Sequence, residues 1–138
     1  MRLWHKDLLR VLPRMQLTGQ WRECCLIAKE INDKGTPNHI LVNRIMDYPL
    51  SHFIAYTQLV YGAMLLRKYD KIKWKTFSDK FDSEVKVDEP IRNLFPDWHN
   101  NRYLQQCYYN LQEKYDCNGI SEDEWKKIEE KYHLLMKG

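Results

Sequence analysis

Two features of the chain carry residues that could do chemistry. One is Glu23, inside the stretch Gln20-Trp21-Arg22-Glu23-Cys24-Cys25; the other is the chain start, Met1-Arg2-Leu3-Trp4-His5. A positioned carboxylate moves protons and stabilises a developing cation. An α-amino group has a reference pKa near ~8, against ~10.4 for a lysine side chain, so far more of it is neutral and nucleophilic at neutral pH. Met1 and Glu23 would therefore make a nucleophile and its proton carrier, provided a helix brings Glu23 beneath the amine. A bulky second residue, Arg2, should block removal of Met1, so the amine belongs to Met1. The competing reading makes Arg22 and Glu23 two solvated charges on an ordinary helix. Other reaction classes leave no mark: there is no Gly-rich phosphate loop, no nucleophile–histidine order with a local signature, and no His-Glu pair at metalloprotease spacing. Cys24, Cys25, Cys107 and Cys117 match no zinc spacing and read as thiols that pack as small hydrophobes. We expect no metal and no cofactor.

The elements that must position this pair follow from periodicity. Residues 1–4 read as extended, and His5 to Leu12 as a short apolar-spaced piece. Pro13 suits the first turn of a helix, where its missing N–H is no loss. Leu17, Trp21, Cys24, Ala28 and Ile31 then recur at helical spacing as a core-facing stripe, with Gln16, Gln20, Glu23 and Ile27 as a second stripe beside it. Glu23 thus sits mid-helix at the core boundary, and Gly35 supplies the left-handed cap. Residues 36–50 read as a loop carrying His39 and Arg44. Pro49 and Ser51 open a second helix, apolar over a wide arc, whose basic end runs through residues 67–75. Those cations, interleaved with aromatics, either grip phosphates or sit at a solvated helix terminus. Residues 76–95, with Asp79, Asp82, Glu84, Asp88 and Glu89, read as an irregular excursion. A third helix follows Asn100 and closes at Asn118-Gly119. A fourth starts at the capping box Ser121…Glu124, with Trp125, Ile128, Tyr132 and Leu135 inward. The expected fold is all-α: one compact domain, residues 1–138, of about four helices, with the extended N-terminal segment threaded between them.

Composition bounds the rest. A chain of 138 residues, 13% aromatic and with few Gly and Pro, suits one globular domain rather than a disordered chain. No apolar run approaches membrane-spanning length and no signal-peptide block opens the chain, so the expectation is a cytoplasmic protein. Residues 1–75 hold thirteen Lys/Arg against six Asp/Glu, a net +7, while the remainder holds nine against thirteen, a net −4. The basic half favours a polyanionic partner.

Met1-Arg2-Leu3-Trp4-His5, Leu12-Pro13-Arg14, Gly19-Gln20-Trp21-Arg22-Glu23-Cys24-Cys25, and the later Phe95-Pro96, His99-Asn100, Tyr103-Leu104 and Cys107 resemble the pyrimidine-dimer DNA glycosylase family, the phage endonuclease V type and its small bacterial relatives. The resemblance covers most of residues 1–115. It implies a DNA repair glycosylase with abasic-site lyase activity, acting on pyrimidine dimers or related base lesions in double-stranded DNA. The terminal amine attacks the sugar's anomeric carbon, expels the base and leaves a Schiff base, and β-elimination then cuts the strand. Met1 would supply the amine and Glu23 would stabilise the sugar cation and move protons. Arg2 and Arg22 would hold flanking phosphates. The nucleotide would be flipped from the stack.

The chain departs from the phage pattern in several places. There the nucleophile is a small residue exposed by Met removal; here Arg2 follows Met1 directly. Gln16 stands in place of a histidine, and Leu26 in place of a phosphate-binding arginine, leaving Arg14, Lys29 and Arg44 as substitutes. The phage enzyme's aromatic C-terminal tail has no counterpart. His99 lies in a matched turn, either approaching the site or capping structure. We expect a monomer with no membrane contact. The alternative function is a non-catalytic helical nucleic-acid-binding or protein-interaction module. An N-terminus buried near Glu23 in a basic groove favours the enzyme; one loose in solvent favours the module.

Overall fold

A computed structural model of the protein describes residues 1–83, 85 and 91–138. Of the acidic run, Glu84, Asp88 and Glu89 lie outside the described residues. The elements in chain order are a 3₁₀ helix Lys6–Val11, then α1 (Arg14–Lys34), a second 3₁₀ helix Asn43–Asp47, α2 (Leu50–Leu66), α3 (Trp74–Ser78), α4 (Asn101–Asp116) and α5 (Glu122–Lys137). There is no strand among the described residues, and the all-α expectation holds. None of the described helices is long and apolar enough to cross a membrane.

α1 packs on α2, α4 on α5, and the first 3₁₀ helix bridges α2 and α5. The inward stripe of α1 is as its spacing predicts, with Leu17, Trp21, Cys24 and Ala28 buried. Pro13 sits one position earlier than expected, at the N-cap, and Gly35 closes the helix at φ 80° with its N–H on the Ile31 carbonyl. Arg14 carries the first orphan N–H of α1, and Glu124 Oε2 on α5 accepts it at 3.1 Å. The same carboxylate completes the capping box with Ser121, so one side chain caps α5 and ties it to α1. Between α4 and α5, Asn118 takes φ 65°, and a Cβ on Gly119 would come within 3.1 Å of the Lys114 carbonyl oxygen, so any larger residue there would have to push that carbonyl aside by a few tenths of an ångström.

Residues 67–81 differ from expectation. α2 stops at Leu66, and Arg67 Nη2 turns inward to donate to the Arg10 and Leu12 carbonyls at 2.9 and 2.7 Å. Phe77 of this segment is buried in the core, and Trp74 and Phe81 pack against it. Trp74 opens α3 and lies 4.9 Å from Phe77, and both rings cover Trp21 of α1. Five residues are too short a helix to show a period, so α3 leaves no pattern in the sequence.

Candidate active site

The chain start is extended, as expected, and held on every side. Leu3 is fully buried, and Trp4 and His5 nearly so. Extended backbone inside a helical protein has no strand to pair with, so its polar groups must find side chains. They do. The Arg2 carbonyl accepts from Gln20 Nε2 (3.0 Å), the Leu3 carbonyl from the Tyr103 hydroxyl (2.6 Å), and the Trp4 carbonyl from the Tyr56 hydroxyl (2.6 Å). The Trp4 N–H donates to Gln20 Oε1 at 2.7 Å. Gln20 therefore acts as a one-residue strand against residues 2–4, with Tyr56 of α2 and Tyr103 of α4 as outer struts. Its Nε2 also lies 3.4 Å from Glu23 Oε2.

That clamp delivers Met1 to Glu23. Both line one cleft of about 390 Å3, together with Arg2, Gln16, Leu41 and Lys114, a volume within the range of ligand sites. Glu23 is half-buried, and burial raises its pKa above the ordinary carboxylate value; the charge of the Met1 α-amine is the largest opposing influence, followed by a hydrogen bond from the Arg2 backbone amide and the charge of His39. A carboxylate with raised proton affinity beside an amine is suited to passing protons rather than serving as a permanent counter-ion.

Two pinned arginines extend the cleft. Arg2 lies over the Trp4 ring, 5.2 Å from its centroid, and Arg44 over Trp98 at 5.6 Å, with Nη2 on the Asp97 carbonyl at 3.1 Å. Arg2 and Leu41 border both the cleft and a neighbouring groove lined by Arg44, Trp98 and Tyr103; that groove runs on to Arg102 and Asn100. Cations already fixed on indole faces lose little freedom on meeting a phosphate.

The remaining predicted residues are dispersed by helical geometry, at about 100° per residue. Arg22 and Lys29 are exposed but lie on the flank of α1, away from the cleft-lining residues. Arg14, nine residues before Glu23, faces the opposite side, where it stacks on Tyr69 at 4.9 Å and lines a separate groove with Lys68 and Lys71. His99 corrects an expectation: it is 5% exposed, accepts the Lys6 N–H on Nδ1 at 3.0 Å, stacks on His5, and is held neutral by burial, its pKa pushed down to about 2. From there it presents no atom to a phosphate, and its place is under the N-terminal segment. Sequence reasoning missed Gln20, Tyr56, Tyr103, His39 and Arg102. For Gln20 a signal existed, because an amide between Leu17, Trp21 and Cys24 is bound to be buried and a buried amide needs partners.

A family model described as pyrimidine dimer DNA glycosylase matches residues 1–76. No curated protein and no solved structure matches the chain. The family match takes in Met1, Arg2, Gln20, Glu23, Leu41 and Arg44; Tyr103, Arg102 and all of α4 and α5 lie beyond it.

Proposed function

The chain belongs to the pyrimidine dimer DNA glycosylase family, and from that premise we propose that it is a bifunctional glycosylase and abasic-site lyase whose nucleophile is the α-amine of Met1. The observation that carries this reading is the shared cleft of Met1 and Glu23. The neutral amine attacks C1′ of the damaged nucleotide. The C1′–N bond breaks, and its electron pair leaves with the base, which takes up a proton. Glu23 stabilises the cationic sugar and takes the proton shed by the attacking nitrogen. Ring opening gives the Schiff base, removal of a C2′ proton expels the 3′ phosphate, and water releases the enzyme. Where the base is already missing, the same amine condenses with the sugar aldehyde and only the elimination follows.

Arg2 and Arg44 hold the backbone leading away from the lesion, and Arg22 and Lys29, exposed on the flank of α1, take phosphates on the other side. Arg14 faces away from the cleft and contributes to long-range attraction alone. The partner is duplex DNA with a damaged base or an abasic site.

Glu23→Gln tests the assignment. Single-turnover cleavage of an abasic-site duplex should fall about a thousandfold, while binding of the same duplex stays near wild type or tightens. Undiminished cleavage would move the catalytic carboxylate elsewhere.

A further inference from the structure

The loop between α1 and α2 carries two large apolar side chains in water: Ile40 is 83% exposed and Leu41 47%. The loop is not slack. The Val42 and Asn43 amides both donate to the His39 carbonyl, at 3.0 and 2.9 Å. The Leu41 amide donates to His39 Nδ1 (3.2 Å), the His39 amide to Asn43 Oδ1 (3.1 Å), and the Asn38 amide to Glu30 Oε2 (2.8 Å). Buried Pro37 and fully buried Val42 anchor the two ends. A rigid turn thus holds an apolar tip outward. Leu41 borders the cleft of Met1 and Glu23 on one side and the arginine groove on the other. An apolar tip ringed by Arg2 and Arg44 does not suit an apolar protein partner. It suits a ligand that is anionic outside and apolar within, and a base stack is one.

We propose that Leu41, backed by Ile40, is a wedge that enters the duplex beside the lesion and fills the gap left by the extruded nucleotide. The inference rests on the proposed function and specifies how the substrate is opened. Extrusion forfeits stacking on both neighbours. An inserted aliphatic side chain covers the exposed base faces and kinks the duplex, bringing the flanking phosphates onto the arginines. The place of Leu41 between cleft and groove puts the wedge next to the reacting sugar without occupying its site.

The test compares two substrates that need the same chemistry but not the same opening: an abasic site in a duplex and the same abasic strand alone. Leu41→Ala should lower single-turnover cleavage of the duplex about 30-fold and leave the single strand within about twofold of wild type. Leu41→Met should recover most of the duplex rate. A 2-aminopurine placed beside the abasic site should brighten when wild type binds and stay quenched with Leu41→Ala. Equal losses on both substrates would make Leu41 a plain cleft wall, and no loss on either would remove it from the mechanism; both outcomes overturn the wedge. Should wild type cut neither strand, the amine chemistry fails, and the fluorescence still decides the wedge, since unstacking needs no bond cleavage.

Discussion

The chain start and the α4–α5 hairpin are both buried against the same core, but they are held by opposite means. The hairpin is held mainly by neighbours in sequence and by ring stacking, with the Arg14 amide reaching Glu124 from α1. Tyr108 lies 3.7 Å from Tyr132 and nearly parallel to it, Tyr115 stacks on Trp125 at 5.0 Å, and the capping box closes within four residues. The chain start is held by hydrogen bonds from residues 16, 52 and 100 positions away, each to a backbone carbonyl or amide. Ring stacking tolerates small shifts. A hydrogen bond to a buried carbonyl does not, because a displaced partner leaves an unsatisfied group. The region that, on the proposed mechanism, places the reacting amine is the one fastened by directional bonds.

The largest effect should come from breaking that fastening. Gln20→Ala leaves the Trp4 N–H buried without its partner and should cost about 2 kcal/mol or more of stability. Because a misplacement near 1 Å suffices, it should also slow cleavage about a hundredfold. Gln20 is a positioning residue, so a pH profile separates it from a structural prop. The acidic limb of kcat/KM should lie above the ordinary glutamate value in wild type, because burial raises the Glu23 pKa, and should move in the Gln20 variant. An unmoved limb with reduced stability alone would reduce Gln20 to packing.

Acid should loosen the two regions unequally. His5, His52 and His99 all lie against the chain start or the Phe95 turn, and burial is the first cause lowering each pKa. A folded-state pKa depressed below the unfolded value means that stability is full above the unfolded value, ~6.5 for histidine, and is lost as pH falls through the window down toward the folded value. For His99, with a folded value of about 2, the loss is about 1.4 kcal/mol for each pH unit below the unfolded value of ~6.5, and it levels off once the pH reaches the folded value. Melting temperature should be level above neutrality and fall with acidification, less steeply in His99→Asn. A level profile down to pH 4.5 would contradict the burial account. The smallest effect belongs to the hairpin: Ser121→Ala should cost about 1 kcal/mol and leave cleavage unchanged, which strand-cleavage assays and thermal melts would show together.

The same contrast explains what the sequence disclosed. α1, α4 and α5 announce themselves by period and α2 by its near-continuous apolar run, and Gly35 and the Ser121 box mark two of their ends, because those signals are local. α3 is too short to have a period. The positive φ of Phe95, and the ring cluster it builds with Trp98, Tyr48 and His52, depend on partners far along the chain. The approach of Met1 to Glu23 was legible as a pair of residues with matched chemistry. The Gln20 clamp that joins them was not, since nothing in a helical stripe says which backbone a buried amide will meet. The sequence leaves His99 open between approaching the site and capping structure, and the fold uses it as a neutral core acceptor.

The claim that Met1 is the nucleophile is tested most directly by trapping. The protein is incubated with an abasic-site duplex and borohydride, digested, and the modified peptide identified by mass spectrometry. The account predicts a stable adduct on the α-nitrogen of Met1 that disappears when the α-amine is acetylated beforehand. No adduct with the unmodified protein, or one that survives acetylation, would contradict it.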